Sequence, residues 1–236
     1  LMSDAYWRAP LKWDRDAAAE NRRARVFCAS MADVFDEEAP EGERRRLWDL
    51  IAAAPNLDWL LLTKRPERAR GSITKAWPNV WLGTSVEDQQ RADERIPHLL
   101  ATPAAVRFLS CEPLLGAVDL TTHLTHPKQC GGQYNGIGFV DAGQQRHRAR
   151  CVNHGGRLVE TAERHGAYEY VDRIDWVIVG GESGPRARPM GIEWARSLVE
   201  QCRSAGVSVF VKQDSGPRPG MRGRIPDEMW IKEWPA

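Results

Sequence analysis

The chain has 236 residues, 42% hydrophobic and 28% charged, which fits a soluble globular protein of one large domain or one domain with an insertion. Its 33 basic and 32 acidic side chains leave a formal charge of +1, so any grip on nucleic acid must come from a local basic surface. There is no apolar run of about 18 residues, residues 1–4 show no signal-peptide pattern, and the cysteines at 28, 111, 130, 151 and 202 are odd in number and never spaced Cys-x-x-Cys. These features predict a cytoplasmic protein with no disulfide framework and no membrane span.

Six short apolar runs, at 25–29, 59–63, 80–84, 106–110, 176–180 and 207–211, read as buried parallel strands. None shows the alternation of a sheet with one wet face. Helical periodicity lies between them. Over 43–54 it aligns Leu47, Leu50, Ile51 and Ala54, and over 88–100 it aligns Ala92, Ile96, Leu99 and Leu100, with Pro97 expected to bend or shorten the helix. Over 192–205 it aligns Ala195, Leu198, Val199 and Cys202, and Gly206 is placed to stop the helix. Strand–helix alternation of this kind predicts βαβ units, and hence one α/β, barrel-like domain over 1–236. The stretch 120–173, rich in Gly, His, Gln and Arg, reads as an irregular rim insertion or small subdomain. After Gln213 the glycines and prolines predict an irregular wrap around the barrel mouth, and the ten tryptophans read as packing residues.

The informative residues are the polar ones at the C-terminal end of each apolar run. In parallel α/β folds the strand C-termini share one face, where ligands and chemistry sit. That face would receive Ser30, Asp33, Thr63, Lys64, Arg65, Ser85, Glu87, Cys111, Glu112, Gly180, Gly181, Glu182, Ser183, Lys212 and Gln213, the candidate ligand-binding residues. Two structural alternatives stand beside this reading. Ser85 with Asp88, and Ser30 with Asp33, fit the spacing of helix caps, and Lys64, Glu112, Glu182 and Lys212 could pair with each other as a structural ring. Gly180-Gly181-Glu182-Ser183-Gly184 is a strand-to-helix turn whose backbone could approach a phosphate or carboxylate, although it is neither a Walker loop nor a GxGxxG fingerprint.

Several strings carry a family likeness: Phe27-Cys28-Ala29-Ser30-Met31-Ala32-Asp33, Leu61-Leu62-Thr63-Lys64-Arg65-Pro66-Glu67-Arg68, Ser110-Cys111-Glu112-Pro113-Leu114-Leu115-Gly116 and Trp176-Val177-Ile178-Val179-Gly180-Gly181-Glu182. The runs 80–89 and 91–97 add to it, and together they resemble the phage-protein family of gp thirty-seven and gp sixty-eight from about residue 5 to 216, outside the insertion. That family resembles radical S-adenosylmethionine proteins. The likeness implies an incomplete parallel (β/α) barrel of the radical-SAM type, with an irregular rim insertion. It also implies a [4Fe–4S] cluster held by an N-terminal three-cysteine motif, with S-adenosylmethionine on its open iron. Gly180-Gly181-Glu182 is similar to the segment that meets the cofactor's amino group in such enzymes, but stands later in the chain than that segment usually does. The chain enters the family pattern at 6–13, downstream of the cysteine motif, so the cluster ligands are absent and the likeness implies a truncated or inactive copy.

Within the insertion, His126 and Cys130, then His147 and Cys151, repeat a His-x3-Cys spacing, and two His with two Cys could hold a structural zinc. Arg146, Arg148 and Arg150 form a small basic patch. Three functions compete. The first is a radical S-adenosylmethionine-like protein acting on a nucleic acid or nucleotide, with Lys64, Arg65, Arg68 and Lys212 on the anionic substrate and Glu87, Glu112 and Glu182 on ribose or amino groups. The second is a cluster-free protein that uses the same mouth to bind nucleic acid or a partner, for which the likeness implies a three-cysteine-motif protein. The third, a hydrolase or lyase built on Glu112 and Cys111, would need a histidine near Cys111, and only His98 approaches a strand end.

Overall fold

The computed structural model describes residues 4–28, 32–124, 134–135, 146–151, 157–162, 168–169 and 173–235. In chain order its elements are α1 (Asp4–Ala19), β1 (Ala24–Cys28), α2 (Glu41–Ala53), β2 (Leu57–Thr63), α3 (Pro66–Ser72), β3 (Val80–Ser85), α4 (Gln89–Leu100), β4 (Val106–Cys111) and α5 (Thr121–Leu124). Then come β5 (Tyr134–Asn135), β6 (Arg146–Cys151), β7 (Arg157–Ala162), β8 (Tyr168–Glu169), β9 (Trp176–Gly180), α6 (Ile192–Ala205) and β10 (Ser208–Gln213). The six apolar runs are the six strands of one sheet in the order β1-β2-β3-β4-β9-β10. All neighbours are parallel, and the sheet curls into half of a barrel.

Alternate residues of each strand feed two different cores. The convex face packs Leu61, Leu82, Leu109, Val177 and Val209 against Ile96 and Leu99 of α4 and Ala195, Leu198 and Cys202 of α6. Burying such side chains contributes roughly 1.5–3 kcal/mol each. The concave face is a smaller aromatic floor of Leu60, Trp81, Phe108, Trp176 and Ile178. Gly83 makes room for it, since a methyl group there would collide with the Phe108 ring. Trp59, Trp81 and Trp176 are buried, as packing residues should be.

Both faces cover the central strands, and β3 and β9 are buried at every position. The edge strands depart from the expectation of continuous burial: β1 and β10 alternate, because their concave-side residues are only partly covered. Asp88, rather than Ser85, caps α4, accepting from the Arg91 backbone N–H at 2.9 Å. Pro97 does not shorten that helix, which runs on to Leu100. Gly206 closes α6 in the left-handed region at φ 67°, as expected.

Two further expectations are corrected. The stretch 120–173 is not wholly irregular: β5, β6, β7 and β8 form an antiparallel sheet, with β6 and β7 paired from Arg146↔Ala162 to Cys151↔Arg157. No apolar run announces β6, whose register comes from its partner. The segment after Gln213 also does more than wrap the mouth. Residues 214–224 stay at the strand tips, but beyond a short 3-10 turn (Asp227–Met229) the chain pairs antiparallel with β10, Phe210 opposite Lys232. Trp234 then stacks on Trp176 at 4.6 Å between ring centroids, at the N-terminal end of the concave face. Among the described residues no helix is long and apolar enough to cross a membrane.

Candidate functional site

The parallel sheet brings the candidate residues to one end, and there the charges are paired. Lys64, just past β2, places Nζ 2.8 Å from Glu87 Oε1, past β3. Arg95 of α4 reaches the other oxygen of Glu87 at 2.7 Å and donates to Ser85 O at 2.9 Å. Burial pushes the Glu87 carboxyl up, but the Lys64 hydrogen bond and the Arg95 charge outweigh it and hold the group below its usual range. One step along the sheet, Lys212 Nζ lies 3.0 Å from Glu112. The Glu112 side chain lies over Gly180, where an added Cβ would sit 3.3 Å from it. Residues 112–115 link the two pairs: Leu114 N–H donates to Gly180 O at 2.9 Å and Leu115 N–H to Glu87 O at 2.8 Å.

Asp33 organises the outer corner. Its carboxylate accepts from Thr63 Oγ1 at 2.8 Å, Lys64 N–H at 2.9 Å and Phe35 N–H at 2.9 Å, and Arg65 approaches at 3.4 Å. Asp36 takes the rest of the Arg65 guanidinium at 2.8 Å. Thr63 and Gln213 are buried within this framework, and Gln213 donates to Gly181 O and accepts from Gly220 N–H. Gly181 is a packing glycine: a Cβ there would strike the Ser215 backbone. Glu182 forms a two-pronged pair with Arg188, Nε at 2.7 Å and Nη2 at 3.0 Å, and these hydrogen bonds pull its carboxyl down to about 2. The structural-ring alternative is met only in part: Glu112 pairs with Lys212, but Lys64 pairs with Glu87 and Glu182 with Arg188, so the four do not close a ring among themselves. Glu87 is held by two cations, whereas Glu112 has only Lys212 among the described residues and its side chain is somewhat more exposed, 17% against 11%.

Ser30 lies outside the described residues, so its cap role does too. Cys111 is fully buried in the convex core with Cys202, and burial drives its thiol upward, which takes it out of reach of a ligand at the mouth. Burial raises Cys28 to about 11 and Cys202 to about 12. Neutral thiols pointing into an apolar core are poor iron ligands. The described residues contain no group of three or more His, Cys, Asp or Glu able to hold a metal, so they do not fit a three-thiolate cluster. Of the zinc candidates, His126 and Cys130 lie outside the described residues. For His147 and Cys151 only the backbone is described: both are on β6, opposite Thr161 and Arg157.

Three features escaped the sequence reading. Phe27 of β1 is 43% exposed, edge-on to Phe108 at 6.5 Å, and so leaves an aromatic ring bare on the concave face. Asp214 is buried beneath Arg224, bonded through Nε and Nη2 at 2.9 and 2.8 Å. The third is a repeat: Ser183-Gly184-Pro185-Arg186 follows β9, and Ser215-Gly216-Pro217-Arg218 follows β10. The signal for it was present, since the two strings are identical. No curated protein and no solved structure matches the chain. A family model described as a protein of unknown function, DUF5131, matches residues 1–224, and the chain belongs to that family.

Proposed function

We propose that the mouth of the half-barrel binds an adenosine-bearing zwitterion of the S-adenosylmethionine type, and that the protein handles a nucleotide or nucleic acid there. The Glu112–Lys212 pair carries this reading. Its two charges, 3.0 Å apart across the tip of β9, match the ammonium and carboxylate of an amino-acid group. A ligand can replace the internal pair with two charge-assisted bonds of the same kind, at little net electrostatic cost. The bare face of Phe27 offers a stacking surface for a base.

The phage-protein and radical S-adenosylmethionine likenesses belong to this proposal and rest on the quoted strings. The described cysteines do not suit the cluster, so no redox step is assigned to this chain. That donor set favours the second reading, in which the mouth holds its ligand without a cluster or beside a cysteine-bearing partner.

Calorimetric titration with S-adenosylmethionine, S-adenosylhomocysteine and ATP tests the proposal. Saturable binding of the first two is expected, weakened about tenfold by Glu112→Gln, the loss of one charge-assisted bond. A wild-type protein that takes up no adenosine-bearing ligand, or a Glu112→Gln variant that binds as well as wild type, would overturn it.

A further inference from the structure

The repeated Ser-Gly-Pro-Arg strings sit at the tips of adjacent parallel strands, and the structure zips them together. Ser183 and Gly216 form a parallel bridge, Gly184 N–H donates to Gly216 O at 2.9 Å, and Gly216 N–H donates to Glu182 O at 3.1 Å. The pairing of β9 with β10 therefore continues past both strands into their loops. Pro185, Pro189, Pro217 and Pro219 remove much of the remaining backbone freedom. Below the loops, Asp214 holds Arg224, whose Nη2 also donates to Met190 O at 2.9 Å, tying the second loop to the end of the first.

This double loop is strongly cationic within a nearly neutral protein. Residues 182–190 and 214–224 carry five arginines against two carboxylates, in a chain whose net charge is +1. Three of the arginines are engaged: Arg188 with Glu182, Arg224 with Asp214 and Arg222 with Asp227. The two from the repeat, Arg186 and Arg218, are exposed, and neither side chain has a hydrogen-bond or ion-pair partner among the described residues. The repeat thus presents one free guanidinium from each strand tip, on a backbone already rigid. Guanidinium groups held in this way suit phosphate oxygens, which they grip through paired N–H donors with little ordering cost.

We infer that the double loop is a phosphodiester-binding lip and that the substrate is a polynucleotide strand rather than a free nucleotide. The inference rests on the proposed function for where the base goes: the lip holds the backbone and a base enters toward Phe27. A bare ring on the concave face and cationic loops at the strand tips are the two elements that single-stranded nucleic acid uses, stacking for the base and charge for the backbone. An acidic peptide would use the charge and leave the ring idle. A membrane surface is disfavoured because Met221 is the one large apolar side chain exposed on these loops, too little to anchor in lipid.

Fluorescence anisotropy with the full chain and a labelled single-stranded thymidine oligonucleotide tests the lip. The Arg186→Gln/Arg218→Gln variant should keep its thermal midpoint, because both side chains are exposed and unpaired within the described residues. It should bind the oligonucleotide about tenfold more weakly, and the slope of log affinity against log salt should become shallower by about 1.4, the equivalent of two lost phosphate contacts. Equal binding by variant and wild type, or polyglutamate competing as well as unlabelled oligonucleotide, would overturn the inference, as would preferential binding to phosphatidylserine vesicles. Calorimetry with S-adenosylmethionine on the same variant separates the two proposals. Unchanged heat with lost oligonucleotide binding supports the lip. A wild type that binds no adenosine ligand, but whose oligonucleotide binding still needs the two arginines, removes the mouth reading and leaves the lip standing.

Discussion

Asp214 is a carboxylate that the fold has enclosed and then neutralised. Its side chain is 2% exposed, yet it receives both Arg224 nitrogens and the backbone N–H groups of Arg224 and Ser215, at 2.8 and 2.7 Å. Burial pushes its carboxyl upward, and the Arg224 and backbone hydrogen bonds outweigh that push, so the group lies below its usual range. A carboxyl lowered on folding contributes stability above its unfolded value, about 3.9, and loses that contribution as pH falls through the folded value. Arg224→Ala should therefore cost about 2 kcal/mol at pH 7 in chemical denaturation, low in the range for a broken buried pair because the guanidinium is half exposed. The cost should shrink below about pH 4, where the orphaned carboxyl takes a proton. A penalty independent of pH would show that Arg224 acts through packing alone. The sequence signalled that charges at buried strand tips need partners, but not which ones. Glu112 and Lys212 are 100 residues apart, and only the register of β4, β9 and β10 makes them neighbours. Asp214 is one of the polar residues at the tip of the sixth run, but its partner Arg224 stands ten positions on, beyond two prolines, where no sequence pattern connects them.

At the scale of elements, composition revealed those with continuous apolar runs and hid the others. The four inner strands of the parallel sheet were visible because burial on two faces demands such runs, and β1 and β10 because they keep apolar residues even where a face is partly open. Helices α1 and α3 were not. The first carries an internal Pro10 and many charges, and the second is seven residues long with Pro66 at its start. Close approach between neighbouring strands is where the sheet is least tolerant. Gly83 of β3 faces Phe108 of β4 in register, and the ring occupies the volume a side chain would need. Gly83→Ala should destabilise the protein by about 2 kcal/mol through overpacking. In a double-mutant cycle with Phe108→Leu the two losses should fall short of their sum, since the smaller side chain vacates that space. Additive losses would mean that strand backbone, not the ring, is what the methyl group disturbs.

For the molecule as a whole, the question is what sets the opening of a barrel that does not close. Its edge strands are β1 and β10, and the final residues span the gap between them. Trp234 lies edge-on to Phe210 of β10 at 5.5 Å, and the Arg25 guanidinium of β1 rests 4.2 Å above its ring. The Trp176 indole N–H also donates to Glu233 O at 2.9 Å. Trp234→Ala should lower stability by about 2 kcal/mol, less than a fully buried tryptophan because the ring is 39% exposed. Arg25→Ala should lower it by about 1 kcal/mol. Chemical denaturation of both variants would measure this, and no loss in either would remove the bridging role. None of it was legible beforehand, because a lone tryptophan near a chain end looks the same whether it bridges two strands or hangs in water.

The same final residues shield β10 in a second way. Val211 N–H donates to Ile231 O and Glu233 N–H to Val209 O, so the middle of the outermost strand is covered. A protease that cut after the exposed Arg222 could release this cover while leaving the helices and central strands in place. The bared amide row would then be a template for another copy of the chain, and damage to this protein would show first as oligomers built by strand addition, ahead of any loss of folded structure.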